Sequence, residues 1–144
     1  MRDARTLATT AGLMLAFVVA VNLPYAALIS LFGYDDVLRE PPGEVLTRFA
    51  GGGEPLVLAW AGFAAAALSF ALLSPRIEHA AGLSAGWAGP ASAVAQFAGL
   101  SRWVFAVPVL AAAYVGGDAS ERAGAVAAYQ ALHGYLGVGI GETL

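Results

Sequence analysis

The sequence predicts an all-α integral membrane protein: a four-helix transmembrane bundle with one short interfacial helix in its first loop. Three observations carry this prediction. Charge is withheld over long stretches: Thr6 to Tyr34 is 29 residues without an Asp, Glu, Lys or Arg, Pro55 to Pro75 is 21, His79 to Ser101 is 23 and Ala123 to Gly141 is 19. About 20 apolar residues in a helix cross a hydrocarbon layer of roughly 30 Å, so each stretch reads as one span. Hydrophobic residues make up 59% of the chain, above the roughly 45–50% of globular proteins. The apolar residues, mostly Ala and Leu, lack the strict two-residue alternation of a membrane barrel. The length suits a single transmembrane domain, 1–144.

The first span is expected near 7–31. Arg2 and Arg5 before an apolar run also fit a secretory signal peptide. Leu7 to Leu31 is 25 residues long, whereas signal cores are about 7–15, so a span is favoured. Pro24 removes the bond to the carbonyl of Ala20 and should kink the helix. Asn22 is expected to bond that loosened backbone or a neighbouring helix.

The first loop, Gly33 to Glu54, is the longest polar stretch. Asp35 and Asp36 can start a short turn, which Pro41, Pro42 and Gly43 break. Glu44 to Ala50 then reads as a two-turn helix on the membrane surface, with Val45, Leu46 and Phe49 on its apolar side and Glu44 and Arg48 opposite. Gly51, Gly52 and Gly53 are expected to end it. A glycine run can cradle phosphate, but no Gly-Lys-Ser/Thr follows.

The second span, near 55–74, opens with Glu54 and with Pro55 at its first turn. Ser74-Pro75-Arg76 is expected to stop it. Trp60 is placed at the membrane interface, and Ala61 to Ala67 offers small side chains for close helix contact. Arg76 to Pro90 reads as a loop, with Trp87 as a surface anchor. The third span, near 90–115, holds Arg102, with 11 uncharged residues before it back to Ala91 and 13 after it to Val115. An arginine at mid-depth costs about 2.5–3.5 kcal/mol on insertion scales, so it must be paired, wetted or snorkelling. The alternative is a shifted span with Arg102 and Trp103 at one surface, but 103–115 alone is too short to cross. Pro108 is a second kink point. Gly116-Gly117 turns the chain, and Asp118 or Ser120 can cap a fourth span near 121–143, with Glu121 in its first turn. The chain stops at Leu144 without a polar tail, which is unusual for the end of a span.

A hairpin of the third and fourth spans puts Arg102 level with residue 135. Arg102, Gln130, His133, Tyr135 and Glu142 are therefore the candidate intramembrane polar cluster, with His133 and Tyr135 nearest Arg102 and Glu142 reaching it by a bend at the glycines. Such a cluster is either a functional site or a satisfied structural network. A neutral His133 can accept from Arg102 through one ring nitrogen.

Other chemistries are excluded or weak. The chain has no cysteine, no lysine and a net charge of −3, so thiolate chemistry and a nucleic-acid partner are not expected. No metal or cofactor is predicted: His79 and His133 sit at different depths and cannot share a haem, and His133 and Glu142 lie on opposite helix faces. No Ser-His-Asp set can be argued.

The stretches GYDDVLREPPGEVLTRFAGGGEPLVLAW (Gly33 to Trp60), GLSRWVFAVPVLAAAY (Gly99 to Tyr114) and YQALHGYLGVGIGE (Tyr129 to Glu142) resemble a family of bacterial multi-span membrane proteins catalogued only as a domain of unknown function. The resemblance rests on Arg102-Trp103 in the third span and on His133, Gly137, Gly141 and Glu142 in the fourth. It implies a bacterial inner-membrane protein of about six spans, of which this chain looks like the first four, either truncated at the C-terminus or a short variant. It supplies no substrate. Two function classes stay open: a non-catalytic membrane module or accessory subunit, packing in the bilayer with a second copy or a membrane partner, and a small transporter or membrane enzyme using an Arg/His/Glu site. Arginines divide evenly between the two sides, and the acidic first loop leans toward an N-terminus inside.

Overall fold

The computed structural model describes residues 4–83 and 86–142. Helix α1 spans Ala4–Phe32, a 3-10 turn spans Asp36–Arg39, and α2 spans Pro42–Ala81. Helices α3 (Ala88–Phe105), α4 (Val107–Gly116) and α5 (Ala119–Leu132) follow, and His133–Glu142 continues α5 as a wider π-type turn. There is no strand among the described residues. Three helical runs are long and apolar enough to cross a membrane: Ala4–Phe32, Pro42–Ala81 and Ala88–Gly116.

Helix α1 runs through Pro24 without interruption. Asn22 Nδ2 donates to the Val18 carbonyl at 2.7 Å, one turn back along its own helix and not to Ala20. Glu44 to Ala50 is helical, as expected, and Val45, Leu46 and Phe49 are buried while Glu44 and Arg48 are exposed. The segment does not stop at the first glycine. It belongs to a first limb of α2 that bends at Gly53, where φ is 56° and ψ −152°, a backbone conformation open to glycine and strained for other residues.

The second limb passes Ser74-Pro75 and ends only at Ala81, which corrects the expected stop. A proline forfeits one backbone bond, here to the Ala71 carbonyl, and a helix held by packing tolerates that loss. What stops α2 is Gly82 in the left-handed region at φ 74°. The Gly82 N–H donates to His79 O and the Leu83 N–H to Glu78 O, the paired bonds that close a helix C-terminus.

Between α3 and α4 the helical path carries on through Ala106, whose N–H donates to Arg102 O at 3.0 Å. Pro108 in the first turn of α4 cannot donate to Val104, so the break falls there. Asp118 caps α5 as expected. Its carboxylate accepts from the Ser120 and Glu121 N–H groups, and Glu121 Oε2 accepts from the Asp118 N–H, a reciprocal capping box.

The core has an aromatic centre and joins α1 and the first loop to α2, α3, α4 and α5. Trp60 and Trp103 stack with ring centroids 4.7 Å apart and planes 6° apart. Phe49 lies against the Trp103 ring at 5.8 Å, and Phe32 presents its edge to Phe49, Trp60 and Trp103. Trp60 is therefore not an interface anchor; it is fully buried. Each well-placed aromatic pair adds roughly 0.5–1.5 kcal/mol beyond area burial, which is why the short apolar face of Val45, Leu46 and Phe49 docks here.

Candidate functional site

Arg102 sits in the last turn of α3 and is only 8% exposed. Its Nη1 donates to the Gly99 carbonyl of its own helix at 2.7 Å, and its guanidinium carbon lies 5.4 Å from the centroid of the neighbouring Trp103 ring. Both contacts suit a cation held away from water. Two glycines make room for it. A Cβ at Gly137 would fall 2.8 Å from Arg102 Nη2, and one at Gly99 would fall 3.1 Å from the Leu136 carbonyl. The π-type segment therefore approaches α3 backbone to backbone, and the guanidinium occupies the space of the side chain that Gly137 lacks.

His133 opens that segment. Its ring stacks on Tyr129, with centroids 5.6 Å apart and planes 13° apart. Tyr129 in turn meets Trp103 edge-on at 6.1 Å, so the aromatic core extends to the imidazole. Arg102 and His133 both line a cavity of about 230 Å³, together with Gln96, Tyr34, Phe63 and Leu100.

The structure thus brings Arg102 and His133 to one cavity. It does not bring Tyr135 or Gln130 there: Tyr135 is 71% exposed and Gln130 is also exposed. The Glu142 side chain lies outside what the structure describes. Depth alone suggested residue 135, but residues two apart on a helix face opposite ways, whereas residues four apart share a face. Counting four from His133 in each direction gives Tyr129 and Gly137, the residues that actually meet the Trp103 ring and the Arg102 head. Tyr34 and Gln96 carry no comparable signal, since they come from a loop and from the middle of α3.

Chemically, the cavity offers a permanent guanidinium donor and an imidazole able to donate or accept. That pairing suits a small anion, a carboxylate or a transferable proton. No group of three metal-ligating side chains occurs among the described residues. Compared with known proteins, the chain matches no family model, no curated protein and no solved structure.

Proposed function

We propose that this chain is an integral protein of the bacterial inner membrane that crosses it four times, by α1, the second limb of α2, α3 with α4, and α5 with its π-type extension. Its role is that of a non-catalytic module, assembling in the bilayer with a second copy or a membrane partner. The observation that carries the reading is the outer face of α1. Leu15, Val18, Leu23 and Ile29 are each about half exposed or more, with no charged residue from Thr6 to Tyr34. Water would meet a continuous apolar surface there, and hydrocarbon is the solvent that fits it. The module role is supported by Arg102, whose guanidinium is held by Gly99 and Trp103 of its own helix and packs beside Gly137 of the π-type segment.

The absence of native cysteine makes the topology directly measurable. Single cysteines at Ala81 and Ser120 should react with a membrane-impermeant maleimide from opposite sides of spheroplasts, and one at Leu15 should resist it. Ready labelling of Leu15→Cys would refute the membrane reading.

A second reading, a transporter or membrane enzyme acting through Arg102 and His133, is favoured by the cavity they share. It requires water to reach that cavity. A cysteine replacing Gln96 should then react with a charged methanethiosulfonate in intact membranes. Protection of that cysteine favours the module.

A further inference from the structure

The far end of the molecule carries a second constellation, formed where the N-terminal turns of α1 meet the last turns of α2. Arg5, Arg76 and His79 line one hollow of about 560 Å³ together with Thr6, Thr9 and Thr10. A second groove of about 330 Å³ lies between the same two helices, walled by Leu13, Phe17, Ala20 and Leu73. The two share Leu72 and Arg76, so a basic, hydroxyl-rich mouth opens into an apolar trough.

The register follows from helix spacing. Arg5, Thr9, Leu13, Ala16 and Ala20 recur every three or four residues along one face of α1. Arg76, Leu72 and Ser69 do the same on α2. Both stripes start from an arginine at this end of the molecule; the one on α1 passes through Thr9 to apolar side chains, and the one on α2 through Leu72 to Ser69. From Arg5 to Ala20 the axial distance is roughly 22 Å at about 1.5 Å per residue, the depth of a lipid headgroup plus one leaflet of about 15 Å. Glu78, the carboxylate of this end among the described residues, accepts from the Gly86 N–H at 2.8 Å and does not line the hollow. The opposite end is acidic, with Asp35, Asp36, Glu40, Glu44 and Glu54 in the first loop and Arg39 held by Asp36 at 2.8 Å.

We propose that this hollow and trough form a binding site for one anionic phospholipid, with the phosphate between Arg5 and Arg76, the threonine hydroxyls as further donors, and an acyl chain along Leu13, Phe17 and Leu73. The proposal rests on the membrane reading above. It assigns the α1–α2 end to the leaflet richer in anionic lipid, so the N-terminus faces the cytoplasm.

The test is native mass spectrometry of the full chain released from micelles containing equal amounts of phosphatidylglycerol and phosphatidylcholine. The protein should retain one phosphatidylglycerol in strong preference. The Arg5→Gln/Arg76→Gln double variant should lower that preference roughly tenfold or more. Arg39→Gln/Arg122→Gln removes the same charge at the other end and should leave it unchanged. Ala16→Trp plugs the trough without altering charge and should reduce retention of any lipid there. Equal losses from both arginine pairs, an inert Ala16→Trp, or displacement of the lipid by millimolar inorganic phosphate would each overturn the site. Carbonate extraction of cell membranes separates the two readings. Release into the soluble fraction would defeat the membrane assignment itself, whereas retention without lipid preference would defeat only the lipid site.

Discussion

Helix α1 and the first limb of α2 both carry apolar side chains, yet they bury them in opposite ways. Across 29 residues α1 buries only Thr10, Leu28 and Phe32, the last two at its C-terminal end. The much shorter limb before Gly53 buries Val45, Leu46 and Phe49, each nearly completely. On the membrane reading proposed above, the difference is one of solvent. A helix can leave its apolar side chains outward where hydrocarbon surrounds it, and composition then reports its environment. A segment flanked by Glu44, Arg48 and Glu54 has one narrow apolar stripe, and only protein can cover it. Hydropathy alone therefore describes α1 well and says little about where the limb docks.

That contrast predicts the largest mutational effect. Phe32→Ala and Trp103→Ala remove rings at the junction of α1, the first limb of α2, and α3. Each should destabilise the folded state by about 3–5 kcal/mol, read as a lowered midpoint in SDS-driven unfolding from mixed micelles. Trp103→Ala should also abolish any exciton signal in near-ultraviolet dichroism from the stacked Trp60 and Trp103. A small effect from either would mean that the aromatic junction is not what holds the limb to the bundle.

Next in size is Arg102. Replacing it with alanine removes a charge-assisted bond to Gly99 and empties the space beside Gly137. The expected loss is about 1.5–3 kcal/mol, the range for hydrogen bonds to charged groups. Arg102→Lys should rescue poorly, because an ammonium keeps the charge but lacks the planar fork that spans from Gly99 to Gly137. Full rescue by lysine would reduce the role of Arg102 to charge alone.

How much of this could be read in advance differs by feature. The helical class follows from the uncharged stretches, and the Asp118–Glu121 cap follows from its four-residue pattern, because both depend on neighbours in sequence. The end of α2 is not legible locally: Pro75 is a strong local breaker, while the feature that actually ends the helix is the left-handed Gly82 seven residues on. Packing against α1 and α3 outweighs one missing backbone bond. Arg102 stood out because an arginine in an apolar run is costly. Its surroundings did not stand out, because depth in a membrane constrains one coordinate and helix face another. Tyr129 and Gly137 needed both. Trp60 was assigned to an interface on composition, but its place is set by a ring on another helix, Trp103, which no local pattern encodes.

A smaller effect is expected at the α5 cap. Asp118→Ala leaves the Ser120 and Glu121 N–H groups without their carboxylate. Such caps contribute typically about 1 kcal/mol. The cost should appear as earlier hydrogen exchange at residues 120–122, with the aromatic junction unaffected. Exchange that accelerates equally throughout the chain would show that α5 does not open as a local unit.

The smallest effect tests the outward face of α1. Leu15 is 67% exposed, and it lies in the same helix as Phe32, which is nearly fully buried. In bilayer or micelle its side chain meets hydrocarbon both when the bundle is assembled and when its helices have separated within the membrane. Truncation to alanine therefore changes both states alike, and Leu15→Ala should shift stability by no more than about 0.5 kcal/mol, against several for Phe32→Ala. In water the same residue would lose nothing by truncation and would gain solubility. A loss above 1 kcal/mol for Leu15→Ala in micelles, sensitive to protein concentration, would have a different meaning: that face of α1 would be covered by protein, a second copy of the chain, and its apolar surface would belong to an interface between subunits.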